Sequence, residues 1–203
     1  IGIDEVGRGS LAGPVTVCAA IVPSSARFRW SGAPSVLRDS KKLSPAMREA
    51  WARYLQTCPD VTWAVASESA KTVDRIRIRA AANRAARRAY RFLCRKQAAA
   101  ARSPVVLDAG LSLGSTPSRA PVRSFPKADE RVPAVAVASI LAKVHRDAYM
   151  RQSHGRFPGY GFGAHKGYGT KTHRTTIRRH GPSPIHRLTF LHGNATLGES
   201  ATF

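Results

Sequence analysis

The sequence predicts a three-layer α/β domain, on the strength of two observations. Short apolar runs alternate with longer stretches whose apolar positions repeat at helical spacing, which is how a chain builds a sheet with helices on its faces. The 203 residues, 43% hydrophobic with 16 Gly and 13 Pro, suit one core of ordinary size and exclude a disordered, collagenous or coiled-coil chain.

Residues 1–5 are the first expected strand, and the glycine-rich run from Gly7 to Pro14 turns the chain into a second at 15–22, where β-branched and apolar residues dominate. Ser44 is an N-cap residue followed by a proline suited to the first helical position. With Met47, Trp51, Tyr54 and Leu55 at helical spacing, a helix is expected to about Thr57. A third strand is expected at 61–66, the longest helix at 74–96 and a buried fourth strand at 105–107. On the long helix Ile78, Ala82, Ala85, Ala89 and Leu93 share one side, and Arg77, Arg84, Arg88, Arg91 and Arg95 the opposite one. That arginine stripe reads either as a solvated surface or as a nucleic-acid contact. Helices at 134–150 and 170–180 complete a single domain over residues 1–203, with a short tail from about 191.

Lys plus Arg number 33 against 12 Asp plus Glu, a net charge of +21 that points to a polyanionic partner. Cys18, Cys58 and Cys94 lie far apart without a CxxC pair, as in a reducing compartment without disulfides or structural zinc. None of the seven histidines belongs to an HExxH pattern, which argues against zinc hydrolysis. No apolar run approaches the ~20 residues of a membrane-spanning helix, so no membrane partner is expected.

In so basic a chain the acids are informative. Asp4-Glu5 and Asp108 each end an apolar strand, where a carboxylate loses hydration unless a cation or donors compensate it. Strand ends in an α/β sheet are also where ligands bind. Carboxylates gathered there suit a hard cation such as Mg²⁺, and a pair of such ions would serve phosphodiester hydrolysis. The alternative is that Asp4 and Glu5 cap a turn or pair with Arg8. For a further ligand, spacing does not choose among Asp129, Glu130 and Asp147.

Gly2-Ile3-Asp4-Glu5-Val6-Gly7-Arg8-Gly9 with Leu11-Ala12-Gly13-Pro14-Val15 resembles the opening signature of the ribonuclease HII family. Further motifs follow in family order: Asp39-Ser40-Lys41-Lys42-Leu43, Leu107-Asp108 with Gly110, Lys127-Ala128-Asp129, and Ala138 to Val144 with Arg146-Asp147. Pro158 to Phe162, His165 to Thr170 and Gly181 to Arg187 complete the series. The resemblance covers almost the whole chain.

The resemblance implies an RNase H-like fold with a mixed central sheet. It also implies a metal-dependent endonuclease acting on RNA/DNA hybrids and on ribonucleotides embedded in duplex DNA. By motif, Asp4, Glu5, Asp108 and Asp129 become the catalytic carboxylates holding two divalent ions, Mg²⁺ or Mn²⁺. Asp147 is left as a structural or supporting group. Gly7, Arg8 and Gly9 match the turn that contacts the ribose 2′-hydroxyl, the group that tells RNA from DNA. Tyr168 matches the tyrosine that stacks at the RNA–DNA junction, and Lys41 and Lys143 match phosphate binders.

Ser10 stands where the family usually has proline, Ala109 intrudes between Asp108 and Gly110, and the Arg75-Ile76-Arg77-Ile78 helix start is unusually basic. No sliding-clamp motif follows Phe190, a monomer is expected, and the expected location is a bacterial-type cytoplasm or an organelle matrix. Two other readings compete: a resolvase or integrase of the same fold, and a non-catalytic basic nucleic-acid-binding protein. The Gly-Arg-Gly turn and Tyr168 argue against the first.

Overall fold

The computed structural model describes residues 1–24, 26, 28, 43–115 and 120–192. At its centre are five strands: β1 (Gly2–Val6), β2 (Val15–Ile21), β3 (Thr62–Glu68), β4 (Val105–Asp108) and β5 (Val122–Phe125). They form one sheet in the order β3-β2-β1-β4-β5. The sheet is mixed. β1 is antiparallel to β2, pairing Ile3 with Ala19, and parallel to β4, pairing Ile3 with Leu107; β3 is antiparallel to β2 and β5 parallel to β4.

The helices are α1 (Pro45–Thr57), α2 (Ala70–Ile76), α3 (Ile78–Lys96), α4 (Ala128–Arg131), α5 (Pro133–Arg156), α6 (Phe162–His165), α7 (Lys171–His180) and α8 (Leu188–His192). Neighbouring strand residues face opposite ways, so β2 sends Val15, Val17 and Ala19 to one core and Cys18 and Ala20 to the other. The first core is closed by α3 through Ala82, Ala85, Ala89 and Leu93. The second is closed by α1 and α5 through Trp51, Leu55, Val137 and Ile140. Three layers result, as the periodicities predict. α5 lies so close to β1 that a side chain on Gly2 would collide with the backbone of Ala134 and Val135. The predicted Ser44 cap forms, accepting from the Met47 N–H ahead of Pro45, and Thr170 likewise accepts from the His173 N–H.

Three departures from the sequence reading have physical causes. The helix expected at 74–96 is two helices that meet at Arg77, whose φ of 67° and ψ of 156° interrupt the hydrogen-bond ladder. On one continuous helix Val73 and Ala82 would lie about 180° apart, since each residue turns about 100°, yet both are fully buried. Breaking the helix lets both reach the core, at a backbone cost of about 1–3 kcal/mol. β5 was not anticipated because Val122-Arg123-Ser124 is an exposed edge segment with no alternation to read. α5 continues to Arg156, past the expected end at 150.

The arginine stripe also has a structural partner. Arg84 and Arg88 reach Glu68 Oε1 at 3.2 and 2.9 Å, neutralising a carboxylate buried at the end of β3. Two of the five arginines are thereby paired with a carboxylate of the protein itself, although their side chains stay partly exposed.

Candidate active site

The parallel register that pairs Ile3 with Leu107 brings the next residues, Asp4 and Asp108, side by side, Asp108 at the end of β4 and Asp4 within β1 just past the residues paired with β4. Ile3 belongs to the core under α3, so Asp4 turns the other way, towards α5, where Ser139 hydrogen-bonds its carboxylate. The Glu5 N–H donates to Asp4 Oδ1 at 2.7 Å. Burial, and then the nearby charges of Glu5 and Asp108, hold the Asp4 pKa up at about 7 against the Ser139 hydrogen bond. Burial likewise raises the Glu5 pKa, opposed by Arg8, whose guanidinium donates to Glu5 Oε1 at 3.1 Å. The Arg8 pairing considered from sequence therefore exists. It satisfies only one oxygen, because Glu5 Oε2 is buried without a hydrogen-bond partner.

Asp4, Glu5 and Asp108 line a cavity of about 310 Å³, together with Gly7, Arg8, Gly9, Lys143 and Tyr168. Eight of the ten site residues expected from sequence thus share one wall. Arg48 and Ser139 line it too and were not singled out beforehand. A larger cavity of about 810 Å³ opens at the other end of the sheet, beside Ile1, Val106 and Pro133. Its lining is mostly apolar and carries one carboxylate, Asp60.

Two expected residues stand apart. Lys41 lies outside the described residues. Asp129 is 1% exposed in α4 and does not line the cavity, although the N–H of its neighbour Ala128 donates to Asp108 Oδ1 at 3.1 Å. Among the described residues no three His, Cys, Asp or Glu side chains are drawn into a ready-made metal cage. Asp147, one helical turn beyond Lys143 on α5, accepts a 2.7 Å hydrogen bond from the Lys143 ammonium and so fixes the cation at the cavity wall. Ala109 is exposed in the turn after β4 and does not displace Asp108 from the strand end.

The three residues of the Gly-Arg-Gly turn differ in their surroundings. Gly7 has φ of +83°, and a Cβ there would collide with the Arg146 guanidinium; around Gly9 nothing lies within 4 Å of such a Cβ. Tyr168, 37% exposed, presents its ring with Arg146 5.5 Å and Lys143 5.8 Å from the centroid. A fully buried Arg146 and a fully buried Arg187 stand behind this wall. Neither was proposed as a site residue from sequence, since an arginine in a basic chain gives no sign of burial.

With this geometry in view, comparison with known proteins is specific. The profile of the ribonuclease HII family matches residues 1–192. The ribonuclease HII of Hyphomonas neptunium is 39% identical over 199 residues, covering 94% of this chain and 92% of the relative. That of Treponema denticola is 40% identical over 196 residues, covering 93% and 96%. Among solved structures, the ribonuclease HII of Archaeoglobus fulgidus, determined in complex with PCNA, superposes with a TM-score of 0.72 at 25% identity over 98% of this chain and 97% of that one. The ribonuclease H2 of Pyrococcus horikoshii shares the fold, with a TM-score of 0.63 at 24% identity over 93% of this chain and 92% of that one.

Proposed function

The chain belongs to the ribonuclease HII family and is a ribonuclease H enzyme; from that premise we propose how it acts and on what. It is a divalent-metal-dependent endonuclease that hydrolyses the RNA strand of RNA/DNA hybrids. It also cuts at single ribonucleotides within duplex DNA, leaving 5′-phosphate and 3′-hydroxyl ends. The observation that carries this reading is the shared cavity, in which three carboxylates share a wall with a glycine-rich turn, a lysine and an exposed tyrosine.

The donor set fits hard cations. Asp4, Glu5 and Asp108 are oxygen donors crowded together at strand ends, and a buried Glu5 oxygen lacks a partner, a combination that a divalent ion compensates. These three would hold two ions, Mg²⁺ or Mn²⁺, with Asp129 as the fourth ligand beside the Asp108–Ala128 hydrogen bond. Such ions, when bound, lower the pKa of a water and stabilise the leaving oxygen.

The remaining work falls to the chain itself. Lys143, held by Asp147, positions a phosphate as a point charge without reading sequence. The open space at Gly9 lets the turn's backbone approach the ribose, where a 2′-hydroxyl is both donor and acceptor. The exposed Tyr168 ring offers a stacking platform beside it. We assign the activity to removal of ribonucleotides from DNA in a bacterial-type cytoplasm, a reading supported by bacterial relatives. Among the described residues no helix is long and apolar enough to cross a membrane.

The test compares a continuous RNA/DNA hybrid with an all-DNA duplex of the same sequence. Cleavage of the hybrid alone, dependent on Mg²⁺ or Mn²⁺ and abolished by chelation, is the expected result. Chelator-resistant cleavage, or equal cleavage of the DNA duplex, would overturn it.

A further inference from the structure

Arg146 and Arg187 are fully buried, and among the described residues neither is ion-paired with a carboxylate. Their N–H groups go to backbone carbonyls. Arg146 Nε donates to Pro14 at 2.9 Å, one terminal nitrogen to Ala12 at 3.0 Å and the other to Lys166 at 2.9 Å. Arg187 Nε donates to Gly13 and a terminal nitrogen to Arg8, both at 3.0 Å. Four of the five acceptors belong to the turn from Arg8 to Pro14 and the fifth, Lys166, to the stretch that leads into Tyr168, so Arg146 bridges the two while Arg187 holds the turn.

Backbone bonds join the turn to that stretch and to the segment that carries Arg187. The Leu11 N–H donates to Gly167 at 2.8 Å, the Gly13 N–H to Ile185 and the Arg187 N–H to Leu11, both at 2.8 Å. Arg146 is also the side chain that fills the space beside Gly7 and lies over the Tyr168 ring. One residue therefore touches both elements to which substrate reading is assigned.

Stability alone does not account for this arrangement. A buried charge is costly to desolvate, and well-packed apolar residues of similar volume often do as well or better. Burial lowers both guanidinium pKa values, Arg187 to about 9. One Arg187 terminal nitrogen is moreover buried without a hydrogen-bond partner. What a guanidinium supplies and an apolar side chain cannot is a rigid planar fork that sets several carbonyls at fixed spacing.

We propose that Arg146 and Arg187 are positioning residues for substrate discrimination: Arg146 ties the Gly7-Arg8-Gly9 turn to the Tyr168 segment directly, and Arg187 fixes the turn whose Leu11 N–H holds Gly167, so that ribose and junction are read at one fixed separation. The proposal rests on the assignment of those two elements as the readers. Lysine keeps the charge but reaches one carbonyl: at position 146 the two segments gain freedom to drift apart, and at position 187 the turn through which they are joined loosens. A continuous hybrid offers many registers and tolerates drift. A single ribonucleotide offers one register and does not.

The experiment is the ratio of kcat/KM on a single-ribonucleotide duplex to kcat/KM on a continuous hybrid, measured for wild type, Arg187→Lys, Arg146→Lys, Tyr168→Ala and the Arg187→Lys/Tyr168→Ala double variant. The ratio is independent of the active fraction, so partial misfolding leaves it readable, and Arg187→Lys, which forfeits fewer bonds, serves if Arg146→Lys does not accumulate. The expected result is a fall of fivefold or more, ~5–20-fold, in each single variant, with the double variant little worse than Tyr168→Ala because the two act through one element. A ratio within about twofold of wild type in the arginine variants, while Tyr168→Ala lowers it, would overturn the positioning role alone. A ratio unmoved by Tyr168→Ala would overturn the reader assignment and the inference with it.

Discussion

The Nε2 atoms of His173 and His186 lie 2.9 Å apart inside the protein, and the bonds around them fix which nitrogen carries each proton. The Ser183 N–H donates to His186 Nδ1 at 2.8 Å, so the proton of neutral His186 sits on Nε2 and is donated to His173. His173 then carries its proton on Nδ1, which donates to the Tyr168 carbonyl at 2.9 Å. The assignment follows from the hydrogen-bond network. A single line of neutral imidazoles thus runs from Ser183 to the backbone of the tyrosine at the cavity.

This relay makes a pH prediction with a definite sign. Burial holds the folded-state pKa of both histidines down at about 4, against 6.5 for an ordinary imidazole. Below pH 6.5 the unfolded chain takes up protons that the folded chain refuses, so their contribution to stability falls as the pH drops from 6.5 to 4. Asp4 opposes this, because its folded pKa of about 7 lies above the ordinary 3.8 and its contribution is lost as the pH rises through that range; Glu5 acts in the same direction as Asp4. Thermal melts of Asp4→Asn/Glu5→Gln isolate the histidines, and its Tm should fall steadily from pH 6.5 to 4.5. A flat profile would contradict neutral, buried imidazoles.

Asp108→Asn should fold normally, because the amide oxygen still accepts from the Ala128 N–H. Its cleavage of hybrid should drop by about a hundredfold or more, since removing a ligand charge weakens both the ions and the activated water. Asp147→Asn should instead lower stability and raise KM, having freed Lys143. Steady-state kinetics beside thermal melts check both, and a folded Asp147→Asn enzyme without turnover would shift the catalytic role from Asp129 to Asp147.

Binding to a duplex in chelator should weaken with salt, by a slope of about −0.9 per phosphate contact. Lys143→Ala should make that slope shallower by about one contact. Arg84→Ala/Arg88→Ala should leave it unchanged and cost about 1–3 kcal/mol of stability, because Glu68 is left buried and unpaired. A flattened slope in the double variant would return the stripe to the nucleic-acid surface.

Gly7→Ala and Gly9→Ala should behave differently, although both looked alike as glycines of one turn. A Cβ at position 7 is strained at φ of +83° and meets Arg146, whereas at position 9 it meets nothing. Gly7→Ala should therefore lower Tm and activity together. Gly9→Ala should melt like wild type and lose cleavage of ribonucleotide-containing substrates, and a fully active Gly9→Ala enzyme would contradict the approach of the turn to the ribose.

Much of the fold was legible because local signals agreed with the tertiary outcome: Ser44-Pro45 and Thr170 begin helices where their chemistry suggests. The interruption at Arg77 was not, since it answers to where Val73 and Ala82 must be buried rather than to any local preference. The carboxylates Asp4, Glu5 and Asp108 betrayed themselves as charges ending apolar strands. Asp129 did not, because one turn of helix beside Glu130 reads as an ordinary acidic cap, and only family motif order singled it out. Arg146 and Arg187 remained hidden because their partners are carbonyls 20 to 179 residues distant in sequence. No pattern in the chain marks such acceptors.

The most direct measurement maps the cut in a DNA duplex carrying one ribonucleotide, with Mg²⁺ and with chelator, beside the same duplex without it. The predicted result is one metal-dependent break next to the ribonucleotide, with a 3′-hydroxyl on one side and a 5′-phosphate on the other. A duplex left intact in Mg²⁺ and Mn²⁺, or broken equally with and without the ribonucleotide, would contradict it.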